Sequence, residues 1–357
     1  MTERIYPSPG SSPPLVSILV PSYNGAAFLR EALDSLVAPT YPSIEILLLD
    51  DASSDGTPAI AADYADRISY VRQPKNLGIY GNVNVGIARA RGSLIATYHA
   101  DDIYLPTIVE AQVAYLQSHP EVGAVFCSDI FVDAAGREYG RLALPPEIRG
   151  EKPLEYRVIL NSMLNYKNRF LVCPTAMVRA SVHADVGTYR PERYRNTSDL
   201  DMWLRIARRY PIAVLESHLM KYRHFHGNSS QRYHRLRTDP ENFFIILDDY
   251  LASGDKSLAA PAALVEYEAH RSEDRLMAAI SHYIKSELSA GRDTLRQVRI
   301  TAIARARNVQ SWRLLALTAG MWALLRLPRM EWLAQRMLQR WHVKHSPGAR
   351  RMAALAP

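Results

Sequence analysis

Two short apolar runs in this chain end abruptly on paired acids, and that pattern narrows the folds open to it. Ile44–Leu49 stops at Asp50-Asp51, and Ser93–Tyr98 runs into His99-Ala100-Asp101-Asp102. Runs of this length and composition read as buried strands. Val16–Val20, stopped by Pro21, is another, and Ile68–Val71 and Val122–Cys127 read the same way.

Helical spacings fill the gaps. Phe28–Val37 puts Phe28, Leu29, Leu33 and Leu36 on one face, with Pro39 and Pro42 closing it. About Pro58–Asp66, Tyr80–Ala90 and Pro106–Ser118 follow. Strands alternating with helices predict an α/β fold, a mostly parallel sheet flanked by helices. Ligands of such sheets sit outside the carboxyl ends of the strands, where both acid pairs fall. Asp129–Pro153 reads as loop, and a helix returns over Asp199–Arg209. After Ser230 the chain turns helical over Glu241–Leu251, Leu258–Leu288 and about Leu295–Leu327, with Pro328 ending or kinking the last.

A length of 357 residues allows one generous domain or two ordinary ones. Cys127 and Cys173 are the only cysteines, which excludes a disulfide framework or a CxxC motif and suits buried thiols in a reducing interior. Met1–Pro14 lacks the apolar segment of a signal peptide. The longest apolar run, Leu314–Leu325, has 12 residues, against the roughly 20 that a spanning helix needs. The expectation is a cytoplasmic protein, soluble or attached to the inner face of a membrane.

The net charge of +7 is concentrated at one end. Between Ser289 and Met352 thirteen Arg and Lys stand against Asp293 and Glu331, which leaves the rest of the chain net acidic. This points to an anionic surface partner for that end and not to a nucleic-acid binder. Four of the five Trp lie there too: Trp312, Trp322, Trp332 and Trp341. Beyond Pro328, Met330, Leu333, Met337 and Trp341 share one helical face, with Arg329, Arg336 and Arg340 elsewhere around it. That pattern suits an interfacial helix on anionic lipid; packing on the rest of the chain, or a homodimer through these helices, is the alternative.

Four clusters carry chemistry. Pro21-Ser22-Tyr23-Asn24 follows the first strand, and Asp50-Asp51-Ala52-Ser53-Ser54-Asp55-Gly56-Thr57 follows the second. In the latter a carboxylate beside the sheet edge can accept the imino proton of uracil or thymine, and the hydroxyls can hold ribose; equally, the segment is a well-capped turn. Adjacent carboxylates at Asp101-Asp102 repel unless a cation lies between them, and hard oxygen ligands suit Mg²⁺ or Mn²⁺; the plainer reading has one acid capping a helix. In Asn196–Arg205, Asp199 stands where a helix begins, as a general base or as an N-cap. Arg205 reads as the partner of a neighbouring acid.

Val16–Asn24, Asp50–Thr57, Asp101-Asp102 and Ser198–Arg205 together resemble, in order, the motifs of the inverting glycosyltransferase family 2. The likeness covers roughly residues 15–230 and implies a GT-A-like fold with a C-terminal helical extension. It implies a sugar transfer from a nucleoside-diphosphate donor, UDP or dTDP first, to a glycan or lipid-linked glycan acceptor in bacterial-type cell-surface polysaccharide synthesis. Carried over, Pro21, Tyr23, Asn24, Asp50, Asp51, Ser53 and Asp101 would bind the donor nucleotide, with Asp51 on the pyrimidine. Asp102 would ligate Mn²⁺ or Mg²⁺, with Asp101 near ribose or the metal and His226 completing the metal or diphosphate site. Asp199 would be the base. The chain departs from the family pattern at His99 and Ser198, where acids are common.

The domain expectation is a flexible segment over 1–14, a catalytic part over 15–235, a helical extension over 236–345 and a flexible tail over 346–357. A dinucleotide-dependent oxidoreductase is disfavoured because no GxGxxG follows the first strand. A sugar nucleotidyltransferase is disfavoured because that loop holds no Lys or Arg before Arg30. A metal-dependent nucleotide-sugar hydrolase and a catalytically silent nucleotide-sugar-binding module stay open.

Overall fold

The computed structural model describes residues 12–224, 236–307, 310–326 and 336. Contacts divide the chain into two compact units. One takes the residues up to Ser128 together with Leu171–Lys221, and the other takes Asp129–Phe170 with the residues from Tyr222 onward.

The strands are β1 (Val16–Ser22), β2 (Ile44–Asp50), β3 (Ser69–Arg72), β4 (Leu94–Thr97), β5 (Ile103–Tyr104), β6 (Ala124–Val132), β7 (Glu138–Arg141), β8 (Ala176–Arg179) and β9 (Ile212–Arg223). In the first unit they order as β3-β2-β1-β4-β8-β6-β9-β5. β1 pairs in parallel with both β2 and β4, and β2 with β3. From β4 outward the direction reverses: β8 runs antiparallel to β4 and to β6, and β5 to β9. The parallel half is the half whose long apolar runs the sequence displays.

Helices α1 (Ala26–Leu36), α2 (Thr57–Ala62), α3 (Ile79–Arg89) and α4 (Ile108–Ser118) connect the early strands. α1 forms because Leu29, Ala32, Leu33 and Leu36 recur at helical spacing, and all four are buried. Each such leucine contributes about 2 kcal/mol on leaving water. α3 lies so close to the sheet that a Cβ on Gly86 would come 2.5 Å from Leu49 Cδ1 and 3.1 Å from both methyls of Leu19. Later in the chain come α5 (Tyr156–Tyr166), α6 (Ala180–Val186), α7 (Pro191–Tyr194) and α8 (Ser198–Ala207). Cys127 and Cys173 are free and buried, as expected.

The second unit holds the far end of β6, β7, α5, and helices α9 (Asn242–Ala252), α10 (Pro261–Ile284), α11 (Leu288–Arg296), α12 (Ile300–Arg305) and α13 (Ser311–Leu324). Two expectations need correction. Asp129–Pro153 is not all loop, because β6 runs on to Val132 and pairs with β7 around a turn at Asp133–Arg137. The single helix over 295–327 is also broken, into α11, α12 and α13. Leu276, Ala279, Ile280 and Tyr283 of α10 share one core with Leu295, Ile303, Leu314, Met321 and Leu325. A straight helix from 295 to 325 would be about 45 Å long, while 276–283 spans about 11 Å. Only a chain that folds back can bury both ends on that short patch. α5 packs on α10, with Lys167 Nζ 2.5 Å from Glu241 and the His270 ring 2.8 Å from the Asn165 carbonyl. The expectations for Pro328 and for the helix beyond it lie outside the described residues. Among the described residues no helix is long and apolar enough to cross a membrane.

Gly86→Val should overpack the interface of α3 with Leu19 and Leu49, both fully buried. The expected loss is about 1–3 kcal/mol, read as a lowered midpoint in thermal or urea denaturation; an unchanged midpoint would show that α3 can lift off the sheet freely.

Candidate active site

The register decides which residues meet. Ser22 pairs with Asp50, and Leu19 with Thr97, so the chain leaves β1, β2 and β4 at one edge of the sheet. Three of the four clusters are therefore neighbours by construction.

The turns after β1 and β2 are laced together. Asn24 N–H donates to Ser53 Oγ (2.9 Å) and Ser54 N–H to Asn24 Oδ1 (2.8 Å). Gly25 N–H donates to Thr57 Oγ1 (3.1 Å), and Ala26 N–H to Asp55 Oδ2 (3.0 Å). Asn24 and Ala52 both adopt left-handed backbone, with φ of 51° and 63°, a region that Asn enters more readily than Ala. Asp50 is fully buried and accepts from Ser53 N–H (2.9 Å), the Tyr70 hydroxyl (2.5 Å) and Arg72 Nη1 (2.9 Å). Its carboxylate thus holds the turn in shape. Asp51, 2% exposed, accepts from the N–H of Leu77 at 2.6 Å, while the N–H of Gly78 beside it donates to Asn76 Oδ1 at 3.0 Å. Burial pushes its carboxyl up from the ordinary value, and those two amides oppose the rise. Pro21 is buried in β1 opposite Leu49, Ser53 is buried, and Tyr23 is exposed.

His99, Asp101 and Asp102 offer ligand atoms that all lie within 4.8 Å of one another. The strand end is held by Tyr104, whose hydroxyl accepts from His99 N–H at 2.5 Å and whose ring stacks on Tyr98 at 4.4 Å. Burial lowers the His99 ring from its usual value, so the imidazole is neutral at physiological pH, and its Nε2 is buried without a hydrogen-bond partner. Two carboxylates and a neutral imidazole at this spacing fit a divalent cation such as Mn²⁺ or Mg²⁺.

Asp199 sits in the first turn of α8, while the cap position belongs to Thr197. The N-cap reading of Asp199 therefore fails, because the preceding turn Arg195–Thr197 occupies the place where a cap would stand. Burial pushes its carboxyl up to about 6, opposed by the Leu200 N–H and the Tyr80 hydroxyl. Cys173 connects this acid with the metal-type cluster. Its thiol is pushed up first by burial and then by the charges of Asp199 and, more weakly, Asp102. Arg205 pairs with Asp201 at 2.9 Å, as its spacing suggests, and donates to the carbonyls of Val186 and Thr188. His226 lies outside the described residues.

Several participants escape a reading of the sequence. Leu77 and Gly78 act through backbone N–H groups, which no side-chain pattern displays. Tyr80, Tyr189 and Cys173 come from three separate segments. The available signal is the pair Tyr80 and Asn84, four residues apart on α3, both facing protein.

Replacing Asp199 by Asn removes a carboxylate that burial disfavours when ionised. A raised native value means stability present at low pH and lost as pH rises through about 6. Asp199→Asn should therefore gain about 1–3 kcal/mol over the parent at pH 8 and almost nothing at pH 3. Thermal melts at both pH values check this, and equal differences at the two would refute the buried-acid assignment.

Comparison with known proteins bears on the family and the fold. The sequence model described as Glycosyl transferase family 2 matches residues 17–187. EpsE of Bacillus subtilis, named as a glycosyltransferase, is 32% identical over 200 residues, covering 55% of this chain and 67% of EpsE. The chain spans only 35% of a longer uncharacterized glycosyltransferase of Rickettsia felis that it matches at 31% identity over 61% of its own length. Among solved structures, S. aureus TarS 1–349 in complex with UDP-GlcNAc superposes with a TM-score of 0.59 at 16% identity, over 92% of each chain. The mannosyltransferase PcManGT from Pyrobaculum calidifontis, in complex with GDP-Man and Mn²⁺, gives 0.51 at 19% identity, over 94% of this chain and 87% of its own. These structural likenesses carry the GT-A-like fold.

Proposed function

Because this chain belongs to glycosyl transferase family 2, we propose that it moves one sugar from a nucleoside-diphosphate donor to an acceptor hydroxyl, with inversion at the anomeric carbon. The observation that carries this reading is a convergence. Asp51 and the His99–Asp102 cluster stand at the same carboxyl end of the parallel strands β2 and β4, and the ligand atoms of His99, Asp101 and Asp102 lie within 4.8 Å of one another.

In this mechanism Asp199, ionised above about pH 6, takes the proton of the acceptor hydroxyl. The acceptor oxygen bonds to the anomeric carbon as that carbon's bond to the diphosphate oxygen breaks, and the electron pair leaves on the nucleoside diphosphate. His99, Asp101 and Asp102 would hold Mn²⁺ or Mg²⁺, which when bound supplies charge neutralisation for the departing diphosphate. His226 completes that site in this reading. Asp51 takes the imino N–H of uracil or thymine, which makes UDP or dTDP sugars the first donors. Asp50, Asn24 and Ser53 keep the turn that presents Asp51, while Pro21 and Tyr23 flank the nucleotide. TarS is described with UDP-GlcNAc and PcManGT with GDP-Man, so guanine donors belong in any survey. Residues 15–235 are the catalytic part in this proposal and 236–345 an extension.

The test is nucleotide release from a panel of UDP, dTDP and GDP sugars, with and without Mn²⁺. Asp102→Asn removes one anionic ligand and should lower turnover at least about tenfold and weaken the metal response. Parent-level turnover across a metal titration would remove Asp102 from the cation site.

The acceptor we propose is a glycan or lipid-linked glycan presented at the cytoplasmic face of a membrane. Supporting this, Trp312 of α13 is 76% exposed, next to Arg313, in a helix whose remaining residues are almost all apolar. Truncation after Leu288 would uncover Leu276 and Tyr283, so substitution is the cleaner test. The full chain should co-sediment with anionic vesicles at low salt and release at high salt. Trp312→Ser with Arg313→Glu should weaken that binding several-fold. Absence of binding by the folded parent would leave packing or a homodimer as the role of these helices.

A further inference from the structure

We propose that Tyr104 is a positioning residue for the cation site, closing the turn that carries His99, Asp101 and Asp102. The inference rests on the cation reading of that cluster and adds what keeps the turn in shape.

Five residues, Tyr98–Asp102, connect β4 to β5. Two of them are adjacent acids whose charges repel, so a free turn would spread them apart. Their ligand atoms nevertheless lie within 4.8 Å of each other and of a His99 ring nitrogen. Gathering them in advance needs bonds from the protein itself. Tyr104 supplies these. Its hydroxyl accepts from the His99 N–H at 2.5 Å and reaches the His99 carbonyl at 3.4 Å, so one phenol clasps both polar groups of one residue's backbone. Its ring stacks on Tyr98, with centroids 4.4 Å apart and planes at 15°. The residue that opens the turn and a residue just past its end thus lie face to face.

Tyr104 is itself anchored. It is 2% exposed, its N–H donates to Ser35 Oγ of α1 at 3.1 Å, and it pairs with Met220 of β9. Tyr98 is fully buried, and its hydroxyl donates to Gln112 Oε1 of α4 at 2.6 Å. Gln112 Nε2 in turn donates to the Thr175 carbonyl, also at 2.6 Å. The clasp therefore ties the turn to α1, α4 and β9, and a residue that is no ligand sets where the ligands stand. The two hydroxyls make a matched pair for a test. Tyr104→Phe deletes the one that bonds the turn, and Tyr98→Phe deletes the one that bonds α4, while each keeps its ring and the stack.

Mn²⁺ binding by the full-length proteins is read from the electron paramagnetic resonance signal of the free ion, for Mn²⁺ alone and with UDP, dTDP or GDP. Tyr104→Phe should weaken Mn²⁺ about tenfold, the effect of a group that orients ligands without touching the ion. In nucleotide release its half-saturating Mn²⁺ should rise by the same factor, with turnover returning toward the parent at saturating Mn²⁺. Tyr98→Phe should lower the thermal midpoint and leave Kd for Mn²⁺ at the parent value. Equal Kd values for the parent and a folded Tyr104→Phe protein would overturn the proposal. Equal weakening by both variants would overturn it too, because that is the mark of general loosening. Should Tyr104→Phe not fold, Ser35→Ala decides: it releases the Tyr104 N–H, and Mn²⁺ binding weakens if Tyr104 aims the turn and is unmoved if it does not. Absence of Mn²⁺ binding by the folded parent would instead overturn the cation reading on which the proposal rests, so the two failures are distinguishable.

Discussion

Strand β1 is hydrogen-bonded in parallel on both sides, and the whole site inherits that register. Seven residue pairs join it to β2 and four to β4. Side chains alternate faces along a strand, so a slip of one residue would exchange every inward and outward group. At the end of β2 such a slip would bring Leu49 or Asp51 to the place where Asp50 meets Tyr70 and Arg72. A buried carboxylate with those partners is a strong register pin, because moving it leaves a charge unpaired in the core.

The parallel half of the sheet was legible because β1 and β2 are largely buried apolar runs, although β1 runs through Pro21, where the sequence suggested a stop, and ends at Ser22. Of the antiparallel half only β6 was legible, as the run Val122–Cys127. β5 has two residues and β8 has four, too few for any periodicity to speak. The metal-type cluster could be read from Asp101-Asp102, yet Asp50 and Asp51 looked equivalent. Alternation sends them to different surroundings, and only the neighbouring β3 and the Leu77 N–H reveal which one holds the turn. The fold-back of α11–α13 was hidden for another reason. Leu295, Ile303, Leu314 and Met321 fall on a common helical phase, so phase alone cannot tell one straight helix from three. Length against the available core decides it.

Asp51 and Asp199 illustrate one physical problem with two solutions. Burial raises both carboxyls. At Asp51 two backbone amides counter the rise, fixed donors that no side-chain substitution can remove. At Asp199 part of the counterweight is a side-chain hydroxyl, and this makes the second acid adjustable by sequence in a way that the first is not.

The position of β8 has a consequence for how the chain is made. β8 lies between β4 and β6, yet both of those strands precede it in the sequence. During synthesis β1–β4 can assemble as soon as they emerge, but the outer edge of β4 and the facing edge of β6 must wait for Ala176–Arg179. Until then the nascent protein carries two open strand edges, of which Leu94–Thr97 is entirely apolar apart from its threonine, and exposed edges of that kind recruit other chains. β8 thus joins the parallel half of the sheet to β6 and leaves only the gap between β6 and β5 for β9, and a ribosome that stalled before residue 176 would release a sticky fragment in place of a smaller enzyme.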